Sequence, residues 1–475
     1  MTQKTSGPRS YFLCGIGGSG MLPLALILQA QGHRVEGSDR TLDATPGGEQ
    51  AAAKFDYLRR RGIRLHPQDG SGIRRAGLIL VASAAVEDSV PDVAAARRIG
   101  ARRVSRPEAL AELFNAAQQR IGVAGTSGKS TVTGMIAWIL HCAGHDPTVV
   151  NGAVMKNFAG PDDPFASALA GSGDTFVSEI DESDGSIALF DPSVAVLTNV
   201  SEDHKTMDEL RGLFGDFANV AGRSVLNFDD PEVRSIGGSL TRGRQTRFSL
   251  QDVSADVFAD RLEPAPDGIG FRLFAEGLPN GQPVGLQVPG IHNVANALAA
   301  IGAAMACGVP AAEAAGHLNG FAGLRRRLET VGKAGGVTVI DDFGHNPDKI
   351  AATLDALHAF PGRLLILFQP HGFGPLRKMR AGFIDMFAGK LDREDVLLMP
   401  EPVYFGGTVT RDISSRDIVQ DIAAAGRRAE ACGDRTACGH RLLELAQPGD
   451  RIVVMGARDD TLTDFAYGLL KRLEP

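Results

Sequence analysis

The sequence predicts an α/β protein of three domains, on three observations. Short apolar runs alternate with helical runs along almost the whole chain. Glycine-rich turns stand directly between a strand and a helix at residues 15–20 and again at 125–128. The alternation restarts after Gly336, following a stretch of short β segments. The 475 residues suffice for roughly three domains, each with its own core.

Composition bounds the function. Hydrophobic content of 43% and charge of 22% are those of a soluble globular chain. The formal net charge of −7 speaks against nucleic-acid binding. No apolar run is long enough to span a bilayer, and Met1 to Ser10 lacks a signal-peptide core. The five cysteines (14, 142, 307, 432 and 438) are scattered, which fits reduced thiols in a cytoplasmic protein.

In chain order, Tyr11 to Cys14 is a short strand, and Gly15, Gly17, Gly18, Ser19 and Gly20 form a glycine turn into an apolar helix, Met21 to Ala30. A second strand from Arg34 ends at Ser38 and Asp39. The spacing is that of a dinucleotide fingerprint, with a diphosphate expected on the helix N-terminus; a tight turn without a ligand is the alternative. The motif would also suit a nicotinamide-dependent oxidoreductase, but that leaves the second glycine loop without a role. A helix at 50–61, a strand from Leu78 to Ala82 and a helix at 91–99 complete a Rossmann-like N-terminal domain, residues 1–110.

Ile121 to Ala124 reads as a buried strand, and Gly125, Thr126, Ser127, Gly128, Lys129, Ser130 and Thr131 lead from it into a helix ending near Ala143. Strand, loop, Gly-Lys-Ser and helix describe a phosphate-binding loop. Its amides would cradle phosphates, Lys129 would reach the terminal ones, and the Ser130 hydroxyl would sit on Mg²⁺. Val123 stands where the general motif has glycine. The strand Phe176 to Ile180 carries Glu179 and runs into Asp181, Glu182 and Asp184, an acid run suited to Mg²⁺ or simply to solvent. The strand Val194 to Thr198 leads to Asn199, Asp203 and His204. Short β segments at 240–290 suggest a small appended sheet. Asn293 and Asn296 share one helix face and could read an adenine edge or merely cap the helix. The central, P-loop ATPase-like domain is expected over 111–322.

Arg325, Arg326 and Arg327 precede the third domain, expected over 323–475 and again Rossmann-like. Its strands are Val337 to Asp341, Leu364 to Phe368, Val396 to Met399 and Ile452 to Met455, with helices near 348–359, 379–390, 415–430 and 461–471. Asp342, His345, Asn346 and His371 all lie just past strand ends.

These strings, in this order, resemble the Mur ligases of peptidoglycan synthesis over nearly the whole chain. The anchors are G-I-G-G-S-G with Ser38-Asp39, G-T-S-G-K-S-T, E-I-D-E-S-D, T-N-V-S-E-D-H, H-N-V-A-N, R-R-R-L, D-D-F-G-H-N-P and F-Q-P-H. The family's own phosphate loop lacks the early glycine. Within the family, the N-terminal glycine motif and F-Q-P-H are similar to the branch that adds L-alanine. R-R-R-L-E and the D-D-F run are similar to the branch that adds a tripeptide in recycling. The resemblance implies an ATP-dependent carboxylate–amine ligase that forms an amide on UDP-N-acetylmuramate, with L-alanine, through an acyl phosphate. Addition of a tripeptide, or another carboxylate and amine pair, is the alternative.

The resemblance also implies roles. Lys129 with Mg²⁺ would neutralise the transferring phosphoryl group, and Ser130, Glu179 and His204 would hold metal. Residues 125–131 with Asn293, Asn296, Arg326 or Arg327, and Asp342 would bind ATP. Gly15 to Gly20, Ser38, Asp39 and Ser83 would take the sugar nucleotide. His345 and His371 would lie near phosphates and the incoming amine, with Arg377 a possible substitute clamp for an amino-acid carboxylate. Clamp arginines expected after His371 are replaced by Gly372 and Pro375, and Phe343 stands where the alanine-adding branch has tyrosine. A monomer or homodimer without nucleic-acid or membrane partners is expected.

Overall fold

A computed structural model describes residues 7–42, 49–83, 86–202, 205–403, 410–457, 459 and 461–474. The fold is mixed α/β, as the sequence predicts. The chain divides into two compact units: residues 1–262, 270–287 and 293–323, and residues 263–269, 288–292 and 324–475.

The first unit opens with β1 (Ser10–Cys14), α1 (Met21–Ala30), β2 (Arg34–Ser38), α2 (Glu49–Arg60), β3 (Arg64–His66), β4 (Leu78–Ala82), α3 (Pro91–Arg98), β5 (Arg102–Ser105) and α4 (Arg106–Asn115). The strands form a parallel sheet in the order β3-β2-β1-β4-β5. The order reverses beside β1, so the glycine turn after β1 opens at the crevice where such sheets take ligands. β3, β5 and α4 escape the sequence reading. The start of α4 is nonetheless marked by a capping box between Ser105 and Glu108.

The central elements are β6 (Gln119–Ala124), α5 (Lys129–Cys142), β7 (Thr148–Val150), β8 (Ala168–Leu169), β9 (Thr175–Glu179), β10 (Val194–Leu197), α6 (Met207–Val220), β11 (Arg223–Asn227), α7 (Pro231–Gly238), β12 (Gln245–Ser249), β13 (Val257–Ala265), β14 (Gly268–Phe274), β15 (Gln282–Leu286), α8 (Ile291–Ala306) and α9 (Ala311–Leu318). The strands run β15-β14-β13-β12-β11-β10-β6-β9-β7-β8 across one sheet. The small appended sheet expected at 240–290 is not a sheet of its own: β12 pairs in parallel with β11, and β13 to β15 extend the central sheet. Turn-rich sequence marks the strand ends but not which edge they join.

Phe114 of α4 carries the first sheet into the second. Its ring meets Phe176 and Phe190 edge-on, with centroids 5.7 and 5.5 Å apart. One hydrophobic cluster runs from Leu13 and Leu24 through Phe114 to Phe176, Leu197 and Phe214. Tyr57 Oη donates to Asp163 at 2.7 Å across the same junction.

The second unit contains β16 (Glu329–Ala334), β17 (Val337–Asp342), α10 (Pro347–His358), β18 (Leu364–Phe368), α11 (Phe373–Lys378), α12 (Arg380–Lys390), β19 (Val396–Pro400), α13 (Ser415–Ala424), β20 (Arg428–Cys432), α14 (Arg435–Leu445), β21 (Arg451–Met455) and α15 (Thr461–Leu473). Its sheet order is β16-β17-β21-β18-β19-β20, parallel except for β16. The helix expected over 415–430 is corrected here. Gly426, at φ 83°, ends it, and β20 follows.

Candidate active site

The phosphate loop leaves β6 between its two sheet neighbours, β10 and β9, so three strand ends converge on it. Gly125 has φ 131°, and a Cβ there would lie 2.2 Å from Thr198 Oγ1 and 2.9 Å from the Asn199 carbonyl. Gly128 has φ 87°, and its Cβ would meet Asn296 Oδ1 at 2.6 Å. Only glycine fits this close approach and this backbone. The loop is pinned from β10: the Ser127 amide donates to Asn199 Oδ1 at 2.9 Å, and Thr198 Oγ1 donates to the Ser127 carbonyl at 2.7 Å. α5 starts without a side-chain cap, so no side chain competes with an anion for its first amides.

Around the loop the sequence-predicted groups come together. Ser130 Oγ donates to Glu179 Oε2 at 2.8 Å, and the Gly152 amide donates to the same oxygen at 2.9 Å. Lys129 Nζ donates to the Gly125 carbonyl at 2.5 Å and to Glu182 Oε2 at 2.9 Å. Burial works against the lysine charge, but Glu182, Glu179 and Asp181 outweigh it and raise the Lys129 pKa. A hydroxyl and a carboxylate in contact form an all-oxygen donor set of the kind a hard divalent cation prefers, so Ser130 and Glu179 fit Mg²⁺. Thr131 is half-buried one residue further along α5. Asn293 and Asn296 are both buried, and Asn296 Nδ2 donates to Asn293 Oδ1 at 3.0 Å, so neither is a helix cap. His204 and Asp203 lie outside the described residues.

At the first sheet, the amides of Gly15 and Ile16 donate to the Ser38 carbonyl at 2.8 and 2.9 Å. Gly17 N donates to Asp39 Oδ2 at 2.9 Å, while Thr41 satisfies Asp39 Oδ1. Asp39 thus shapes the glycine turn itself. The Ser38 hydroxyl is buried and donates to Asp92. Gly18 and Ser19 are exposed at the turn, and Ser83 lies half-buried just past β4. Gly20 has an ordinary φ of −94°, so its backbone does not require glycine. Arg106 lies close over it: its Cδ and Nε would be 3.0 and 3.2 Å from a Cβ at Gly20. Sequence reasoning missed Arg106 because it is distant in the chain.

In the second unit, Asp342 at the end of β17 accepts from the Leu328 and Gly344 amides, both at 2.8 Å, and from Thr353 Oγ1 at 3.1 Å. Arg326 is buried with φ 57°; its guanidinium donates to the carbonyls of Gly456 at 2.7 Å and Asp459 at 3.2 Å. Arg327 is less buried and lies 4.6 Å from the centroid of the Phe343 ring. His345 and His371 meet at right angles, with ring centroids 5.3 Å apart. Burial, then the charges of Lys349, His371 and Arg327, hold His345 well below the usual histidine range. Its imidazole is therefore neutral at pH 7. Arg377 donates to the Thr410 carbonyl at 2.7 Å and pairs with Asp412. Gln369, Arg435 and Thr461 converge on the Asp459 carboxylate beside the His371 segment, a network the sequence did not announce. A separate cluster, His358 with Asp392 and Asp395, is closed by its own hydrogen bonds at the other end of β19.

A phosphate loop at a sheet switch point defines an α/β nucleotide-binding protein, and comparison with known proteins narrows the class to a ligase. Three family models match: "Mur ligase family, catalytic domain" over residues 11–118, "Mur ligase middle domain" over 123–304 and "Mur ligase, glutamate ligase domain" over 326–458. The chain belongs to the Mur ligase family. The UDP-N-acetylmuramate–L-alanine ligase of Jannaschia sp. (strain CCS1) is 36% identical over 98% of this chain and 95% of the relative. That of Laribacter hongkongensis is 37% identical over 94% and 95%. Among solved structures, the UDP-N-acetylmuramate–alanine ligase of Thermotoga maritima shares the fold at TM-score 0.77, with 22% identity and 98% of each chain covered. A murein peptide ligase of Psychrobacter arcticus matches at TM-score 0.72, with 25% identity over 98% of each chain.

Proposed function

We propose that this ligase uses ATP to join the lactyl carboxylate of UDP-N-acetylmuramate to the amino group of L-alanine, in the cytoplasm, as a step of peptidoglycan precursor synthesis. A carboxylate oxygen attacks the γ-phosphorus and ADP leaves, giving an acyl phosphate. The amine nitrogen then attacks the acyl carbon, and phosphate and the amine proton depart. Lys129 moves onto the transferring phosphoryl group and offsets its charge. Mg²⁺ held by Ser130, Glu179 and His204 would supply further charge neutralisation. Asn293 and Asn296 read the adenine, and the turn Gly15 to Gly20 with Asp39 and Ser83 seats the sugar nucleotide. In the second unit, Asp342 is assigned to ribose and Arg327 to phosphate, because the Arg326 guanidinium is already bound to backbone carbonyls. His345, neutral at working pH, is the group that accepts the amine proton. We retain the three domains at 1–110, 111–322 and 323–475 as functional divisions.

The observation that carries this reading is the meeting of Lys129, Ser130 and Glu179 at neighbouring strand ends, supported by full-length relatives named for this reaction. The test is phosphate release with ATP, Mg²⁺ and UDP-N-acetylmuramate against a panel of amino acids and short peptides. Release with L-alanine is expected. A second reading, addition of a tripeptide, is favoured by one observation: Arg377 is already committed to Asp412, which leaves it poorly placed to clamp a free amino-acid carboxylate. Release with tripeptide alone would establish that reading. No release with any amine would remove UDP-N-acetylmuramate as the substrate.

A further inference from the structure

Lys129 does not reach outward from its helix. Its ammonium folds back to the first carbonyl of the loop, Gly125, at 2.5 Å, and is held on the far side by Glu182 at 2.9 Å. The two side chains are only 14% and 8% exposed. A charge-assisted bond so far withdrawn from water is stronger than a surface ion pair. The two side-chain groups expected to serve the nucleotide, ammonium and Ser130 hydroxyl, are thus each engaged by a carboxylate. The carboxylates differ. Glu179 is also anchored by the Gly152 amide. Among the described residues the Glu182 carboxylate holds Lys129 and caps no helix. Among the described residues it anchors no backbone amide, and it is buried all the same.

We propose that Glu182 is a latch on Lys129. It keeps the ammonium folded against the loop while no nucleotide is bound, and yields it when phosphates arrive. Glu182 is then a positioning residue, acting on the nucleotide through the lysine. The inference rests on the nucleotide reading of the loop. Binding must break the Lys129–Glu182 bond, so the latch holds nucleotide affinity below what the loop alone would reach. Releasing the latch should tighten binding, whereas losing a merely structural carboxylate would weaken it. Glu179 and Asp181 still support the lysine charge when Glu182 is neutral.

The test is the dissociation constant of ADP and ATP, measured by titration calorimetry in EDTA so that no metal contributes. Glu182→Gln is expected to bind on the order of fivefold more tightly than the wild-type chain. Glu182→Asp keeps the charge but shortens the arm, and it too should bind more tightly. Asp184→Asn removes an exposed acid two residues on, whose carboxylate accepts from the Ser186 amide, and should change little. If Glu182→Gln does not fold cooperatively, Glu182→Asp carries the comparison. Unchanged or weaker binding by both Glu182 variants overturns the latch, as does equal tightening in Asp184→Asn. If the wild-type chain and all variants fail to bind nucleotide, the phosphate-loop reading itself falls, and the latch with it.

Discussion

Lys129 is kept charged in a nearly dry place because acids surround it, and this makes its removal informative. Lys129→Ala should lower turnover by about a thousandfold or more, since the phosphoryl group loses its nearest cation. The variant also leaves Glu182 buried without its partner, at a cost of about 3 kcal/mol. The melting temperature should therefore fall while the circular dichroism spectrum stays that of the wild type. Near-normal turnover would sink the phosphate-loop assignment. His345 makes a different prediction. Its folded pKa lies well below 6.5. The unfolded chain therefore takes up protons first as pH falls. The contribution of His345 to stability is intact above about pH 6.5 and is lost below it. The melting temperature of the second unit should drop between about pH 7 and pH 5. His345→Gln should flatten that slope, and an unaltered slope would mean the imidazole titrates normally.

Among the elements, β6, its loop and α5 show what sequence can carry. Everything needed to recognise them lies within about twenty residues, so local pattern suffices. Gly125→Ala should abolish nucleotide binding and cost about 2 kcal/mol or more, because the new methyl would collide with Thr198 and Asn199 in a backbone conformation alanine avoids. Retained binding in that variant would show the loop relaxes more freely than its packing implies. The pairing of Lys129 with Glu182 was not legible, since it depends on β6 and β9 lying side by side. Arg106 above Gly20 is hidden for the same reason. The 415–430 segment misleads differently. Its amphipathic pattern runs smoothly into β20, and only Gly426 marks the break. Arg326 is expected, with Arg327, at a phosphate, yet its guanidinium is buried against backbone carbonyls that become neighbours only when β17 and β21 pair.

At the scale of the whole molecule, the first and central sheets share one apolar cluster, while the second unit has clusters of its own on the faces of its sheet. Scanning calorimetry should accordingly resolve two transitions, and ADP should raise the one belonging to the unit that holds the phosphate loop. A single transition, shifted as a whole, would mean the units unfold together. The junction built on Phe114 has a further meaning for anyone who would recombine these parts. A chain cut after Asn115 would leave with Phe114 bare and would strip the lid from Phe176 and Phe190. The first sheet with its helices is therefore not a detachable cassette. A chimera that imports a different N-terminal sheet will need to bring, or rebuild, the aromatic socket into which the fourth helix plugs.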